Sequence, residues 1–191
     1  PVSRVSFEKA LTSLRGFVSQ GKGYYFLTGR QDLITRRERF FRESKRKLRY
    51  AERIVPLLST IPTVLFIGVS GSVAMHNSSK ADDIDLFIIT KRKTMWLTRL
   101  LLTLLLAVTG RRRGRKDAHT ANLFCLNMLL DERSLRLPSN RQSIYTAHEV
   151  VRMIPLYDRS DTYSTFLRAN NWVKKYVPNA VNRESARNYA E

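Results

Sequence analysis

The apolar positions of the chain fall into a few periodic runs, and their period changes along it. Phe7, Ala10, Leu11 and Leu14 share one helical face, which predicts a short helix from Ser6 to Leu14 with Ser6 as its N-cap. Gly16–Val18 and Tyr24–Leu27 then flank Ser-Gln-Gly-Lys-Gly, a hairpin pattern. A short helix followed by a hairpin is the order of the second half of a winged-helix module. Asp32 to about Ser59 predicts one long helix, because Ile34, Phe41, Leu48 and Val55 recur every seven residues. Ala51 and Leu58 make a second line that Arg37 and Ser44 interrupt, and Pro56 kinks or ends the helix.

From Pro62 the pattern changes. Thr63–Val69 reads as a strand, Ser70–His76 as a short helix, Asp83–Thr90 as a strand, Thr94–Thr109 as a helix and Ala121–Leu130 as a strand. This order predicts an α/β (α+β) fold, a mixed sheet flanked by helices. Helices are expected at Gln142–Met153, Thr162–Tyr176 and Asn182–Ala190, with Ile154–Asp158 as a break between the first two. Tyr157, Trp172 and Tyr176 read as core. The chain thus divides into a basic, winged-helix-like N-terminal extension (1–60), an α/β core (61–135) and a C-terminal helical segment (136–191).

The length of 191 residues suits about one domain plus an appendage. Charge sharpens the picture: 34 Lys+Arg against 16 Asp+Glu give +18, a field that attracts polyanions. Residues 1–60 hold 14 of those cations and 5 acids, so +9, half of the excess, lies there. On the long helix the acids Glu38, Glu43 and Glu52 are too few to pair Arg42, Arg46, Lys47 and Arg49, so these four form either a solvated face or a surface for RNA or DNA. One cysteine, Cys125, excludes a disulfide framework and reads as a small apolar packing residue. His76, His119 and His148 lack metal-ligand spacing; His76 reads as an exposed helix end. The chain begins at Pro1 without Met, as a fragment would, and shows no signal pattern, so a reducing, cytoplasmic setting is expected. The longest apolar run, Leu100–Val108, falls short of the about 20 residues that span a bilayer. It predicts a buried core helix ending at Gly110, and a membrane partner is not expected.

The candidate chemistry lies at Gly68-Val69-Ser70-Gly71-Ser72 and Asp82-Asp83-Ile84-Asp85. A strand running through Ser-Gly-Ser into a helix presents backbone N–H groups to an anion, and Gly71 lets a phosphate come close. Asp83 and Asp85, two apart on a strand, point to one face, while Ile84, Leu86 and Ile88 point into the core. Two carboxylates beside a phosphate cradle make a Mg²⁺ site. Neither Ile84 nor Leu86 supplies a cation to relieve their repulsion, and a metal ion would.

Gly71-Ser72, ten intervening residues and Asp83-Ile84-Asp85 resemble the signature of the DNA polymerase β-like nucleotidyltransferase superfamily. The resemblance covers residues 62–131. It implies transfer of a nucleoside monophosphate, most simply AMP from ATP, with two Mg²⁺ ions. It also implies that Gly71 and Ser72 hold the triphosphate and that Asp83 and Asp85 ligate metal. Such enzymes carry a third carboxylate on the next strand. Alternation along that strand puts Asn127 there, with Leu123, Cys125 and Leu129 on its face. Asn127 can bind substrate but cannot act as a base; Glu149, on the following helix, is the acid that can reach back. Three roles remain open: an active nucleotidyltransferase, a catalytically degenerate module binding nucleotide or nucleic acid, and an antitoxin-like partner of another protein.

Overall fold

The structure, a computed structural model, describes residues 2–114 and 120–178. α1 (Arg4–Ser13) is capped by Ser3, whose Oγ accepts the Ser6 N–H at 3.1 Å, so the cap lies earlier than Ser6. β1 (Val18–Gly21) and β2 (Tyr24–Leu27) form an antiparallel hairpin. Its turn is Lys22-Gly23, both at positive φ (49° and 80°), which matches strand twist and shifts the first arm beyond Gly16–Val18.

α2 (Asp32–Leu58) follows the seven-residue pattern, but its buried side is Ser44, Lys47, Ala51, Val55 and Leu58. Ser44 therefore continues the inner line instead of breaking it. Its Oγ donates to Phe40 O at 2.8 Å and accepts the Ser78 N–H at 2.9 Å. Lys47 is fully buried, which overturns its placement on a nucleic-acid surface. Its Nζ donates to Ser78 Oγ at 3.0 Å, Ser79 O at 2.6 Å and Asp82 O at 2.5 Å. Burial lowers the Lys47 pKa, with Asp82 pulling the other way. One seven-residue step before Ser44, Arg37 donates to His76 O and, at 3.5 Å, to Asn77 Oδ1. The polar half of this line thus holds residues 76–82, and the apolar half packs on the sheet.

β3 (Val64–Val69), buried throughout, leads into α3 (Gly71–Ala74), then β4 (Ile84–Thr90), α4 (Met95–Val108) and β5 (Phe124–Asp131). α5 (Ile144–Arg152), β6 (Ile154–Asp158) and α6 (Thr162–Ala169) follow. The four-stranded mixed sheet has the order β5-β4-β3-β6; β3 is antiparallel to both neighbours, and β4 is parallel to β5. The break expected at 154–158 is therefore an edge strand, and at an edge Pro155 can lack its N–H without cost to the ladder. α6 stops at Ala169 because Asn170 is fully buried as a side-chain staple, accepting the Leu137 N–H and Trp172 Nε1–H and donating to Leu135 O. A 3-10 turn at Asn171–Lys175 follows, and the helix expected at Asn182–Ala190 lies outside the described residues.

The sheet separates two cores. α2 and α4 enclose Leu58, Ile67, Leu86, Ile88 and Leu102 on one face. α5 and α6 enclose Phe66, Phe87, Ile89, Val150 and Phe166 on the other. α4 is not the buried helix its composition predicts: only Thr98, Leu102 and Leu106 are buried, and its outer side is open. Among the described residues no helix is long and apolar enough to cross a membrane.

Replacing Lys47 by Met would leave Ser78 Oγ and the carbonyls of Ser79 and Asp82 without their shared donor. The expected loss is about 2–4 kcal/mol in denaturant unfolding. Arg42→Ala, on the exposed side of the same helix, is expected to stay within about 0.5 kcal/mol.

Candidate functional site

The end of β3 and the start of β4 lie side by side, since Val69 pairs with Leu86. The Ser70 N–H extends this ladder by donating to Asp85 O at 2.9 Å. At Gly71 the backbone turns with φ +61°, and a Cβ there would collide with Asp85 Oδ2. Glycine is required on both counts: it accepts the left-handed conformation and lets the Asp85 carboxylate lie against the turn. Ser72 is half-buried on α3, beside this turn. Ser70 Oγ is buried and has no hydrogen-bond partner among the described residues.

Asp83 and Asp85 are both half-buried at this end of β4. One ligand atom from each, together with Cys125 Sγ, fall within 4.8 Å of one another. Cys125 stands directly beside Asp85 in the parallel ladder. The neighbouring strand therefore contributes Cys125 to this cluster. Beyond it lies a bulge: Leu86 pairs with Leu126 and Phe87 with Met128, which leaves Asn127 unpaired and exposed. Past the bulge the alternation reverses. Met128 and Leu130 join the Phe87 side, and Leu129 joins the Leu86 side. Cys125 is thus not the plain packing residue its type suggests.

The two carboxylates also differ in their neighbours. Arg113 Nη1 donates to Asp83 Oδ2 at 2.6 Å, so the cation that strand β4 lacks comes from the loop after α4. The Arg113 N–H holds that loop to Phe124 O at 2.9 Å. Among the described residues Asp85 has no such partner at contact distance: burial first, then the charges of Asp83 and Glu149, push its pKa up to about 6, with Arg113 opposing. Burial and the same two aspartates raise the Cys125 thiol, which stays protonated and hydrogen-bonds Asp85. Glu149, on α5, is raised by burial, and its bond with Tyr145 works against this. It lines a cleft of about 300 Å³ with Met128, Leu137, Arg141 and Tyr145.

This donor set fits a hard divalent cation. Mg²⁺ takes one or two carboxylates plus substrate phosphates, and Asp85 is a partly desolvated carboxylate with no ion-pair partner among the described residues. A protonated thiol is a poor Mg²⁺ ligand but a serviceable hydrogen-bond donor to the carboxylate beside it.

The other predicted residues scatter. Arg42 and Arg49 are exposed, whereas Arg46 is held by Glu43 at 3.0 Å and Asn122 at 2.9 Å. Asp82 packs inward instead, accepting the Ser79 N–H and Oγ–H. His76 is half-buried, not an exposed helix end, its ring 5.3 Å from Phe41; His119 lies outside the described residues. Asp131 and Glu132 accept the backbone N–H groups of Lys93 and Arg92, far from the cluster's chemistry.

No family model matches the chain, and no curated protein matches it. Among solved structures it is similar to a chain of a toxin–antitoxin complex with AMP-PNP, at 16% identity and a TM-score of 0.39, covering 68% of this chain and 94% of that one. A mutant MntA–HpeT toxin–antitoxin structure gives 16% identity and a TM-score of 0.41, over 66% of this chain and 90% of that one. A complex of tri-AMPylated Shewanella oneidensis HEPN toxin with MNT antitoxin gives 16% and 0.39, over 68% and 89%. With every TM-score this low, the fold stands on the chain's own topology, a mixed sheet flanked by helices.

Asp85 supplies a test of the metal site without turnover. The unfolded carboxyl titrates near its ordinary value and the folded one at about 6, so stability falls as pH rises between the two and stays reduced above. At pH 7.5 and without metal, Asp85→Asn is expected to stabilise the chain by about 1–2 kcal/mol, allowing for solvent screening. Mg²⁺ is expected to raise the Tm of the wild type and not that of the variant, as thermal unfolding with and without MgCl₂ measures.

Proposed function

We propose that this chain is a nucleotidyltransferase of the polymerase β-like type, which binds a nucleoside triphosphate, most simply ATP, with Mg²⁺ and passes its nucleoside monophosphate to an acceptor. One observation carries the reading: ligand atoms of Asp83 and Asp85 converge, and the half-buried Asp85 carboxylate lies against the Gly71 turn with no cation at contact distance among the described residues. Metal bound there supplies charge neutralisation along the triphosphate. Gly71 and Ser72 would border the triphosphate, Asp83 and Asp85 would hold the metal, and Arg113, which donates to Asp83, would offer a guanidinium to phosphate oxygens. Glu149, not Asn127, takes the proton of the acceptor hydroxyl: it is a half-buried carboxyl whose charge is felt at Asp85, and it borders the cleft an acceptor would enter. Exposed Arg42 and Arg49, with Arg46 tied to Asn122, suit a polyanionic acceptor such as an RNA end lying along α2.

A second reading is a module that binds nucleotide without transferring it. Cys125 favours it, since the place beside Asp85 on β5 holds a thiol and not a carboxylate.

Incubation with ATP labelled at the α-phosphate, Mg²⁺ and a mixed RNA and protein acceptor pool separates the two. Transfer of label is expected, falling at least about 100-fold in Asp83→Ala and Asp85→Ala and about 10²-fold or more in Glu149→Gln. Mg²⁺-dependent ATP binding with no transfer would establish the binding module. Transfer that survives the double aspartate variant would sink both readings.

A further inference from the structure

α4 sits over the β4–β5 half of the sheet, with Thr98, Leu102 and Leu106 turned inward. Its opposite side is apolar from end to end and is covered by none of the described residues. Trp96 is 73% exposed, Leu100 54%, Leu104 52% and Val108 87%, with Leu97 and Leu101 alongside. At 100° per residue these six positions fall within one arc, clear of Arg99. Along the axis Trp96 to Val108 extends about 18 Å, so the strip is wide and long enough to be a binding face.

The rim of the strip identifies what it suits. Lys91, Arg92 and Lys93 are exposed before its first turn, Arg99 on its flank and Arg112 after its last. The acids at the N-terminal end, Asp131 and Glu132, are engaged by the backbone N–H groups of Lys93 and Arg92. A second copy of the chain is the wrong occupant. Packing two such strips, parallel or antiparallel, sets basic rims on each other, in a chain whose net charge is already +18. An apolar strip with a Trp at one end and cations at both ends matches the interface of an anionic bilayer, where the apolar side enters the acyl boundary and the cations meet lipid phosphates.

We propose that α4 is an in-plane membrane-docking helix, which lays its Trp96–Val108 side on an anionic lipid surface. The helix is too short to cross, so the attachment is peripheral. It also leaves the aspartate cluster accessible. Asp85 shares a side of β4 with Phe87, which packs toward α5 and α6, whereas α4 covers the side of Leu86 and Ile88. The proposal is independent of the nucleotide reading.

The test is flotation of the purified chain with phosphatidylcholine vesicles, with and without phosphatidylglycerol. Co-flotation is expected with the anionic vesicles, weakened by salt and reduced about tenfold or more in Leu100→Asp/Leu104→Asp. Both positions are exposed, so an unchanged circular dichroism spectrum is expected for that variant. In a Trp172→Phe background, fluorescence of Trp96 is expected to shift to the blue when anionic vesicles are added. Failure of the wild type to float, or flotation undiminished in the Leu100/Leu104 variant, would overturn the proposal. So would a wild type that is dimeric without lipid and monomeric as the Leu100/Leu104 variant, which would assign the strip to a second copy.

Discussion

One buried ammonium group organises the approach to the site. Lys47 has no exposed surface, and its three donors are matched by Ser78 Oγ, Ser79 O and Asp82 O. Burying a lysine is costly unless every donor is satisfied, so such a contact does more for placement than for stability. The loop it grips is closed from within as well. Burial alone would raise Asp82, yet hydrogen bonds from Ser79 and the Lys47 charge hold its carboxyl below the ordinary value. The chain leaves this loop directly into Asp83. The position of both aspartates is therefore fixed by a side chain from a helix that precedes the sheet, with Ser44 and Arg37 gripping the same segment from the same side.

That dependence explains what was legible in the sequence and what was not. The span of α2, three of the sheet strands and α4 follow from periodicity, because their buried positions are mostly apolar. The inner line of α2 was obscured where Ser44 and Lys47 occupy it, since polar residues on a helix read as solvent-facing. The signal present was spacing: Arg37, Ser44, Ala51 and Leu58 are seven apart, and the first two answer polar groups of residues 76–78. β6 was obscured by Pro155, which in a short run suggests a break. Asn170 ended α6 through side-chain bonds to residues more than thirty positions away, which no local pattern carries.

At the site Gly71 lies against Asp85, and Asp83 and Asp85 stand together, because a strand, a turn and a returning antiparallel strand leave little freedom between them. The alternation that put Asn127 on the Asp85 side meets a physical obstacle. Counting by twos fails across a bulge, and one sits between Leu86 and Phe87 opposite Asn127. Arg113 was equally out of reach of a local reading: it meets Asp83 only because its backbone is bound to Phe124, at the start of the strand beside β4.

β4 divides the molecule's chemistry. Asp85, Phe87 and Ile89 lie on one side of it and Ile84, Leu86 and Ile88 on the other. The first side carries the desolvated carboxylate toward α5, where Glu149 and the cleft lie. The second side seats α4, whose inward residues are few enough that its outer half is left apolar and open. The net charge of +18 conceals this division, because the acids at the site are outnumbered by cations that belong to α2 and to the ends of α4. Cations therefore gather on α2 and at the ends of α4, while Asp83, Asp85 and Glu149 stand at the other side of β4, where burial and like charge raise Asp85.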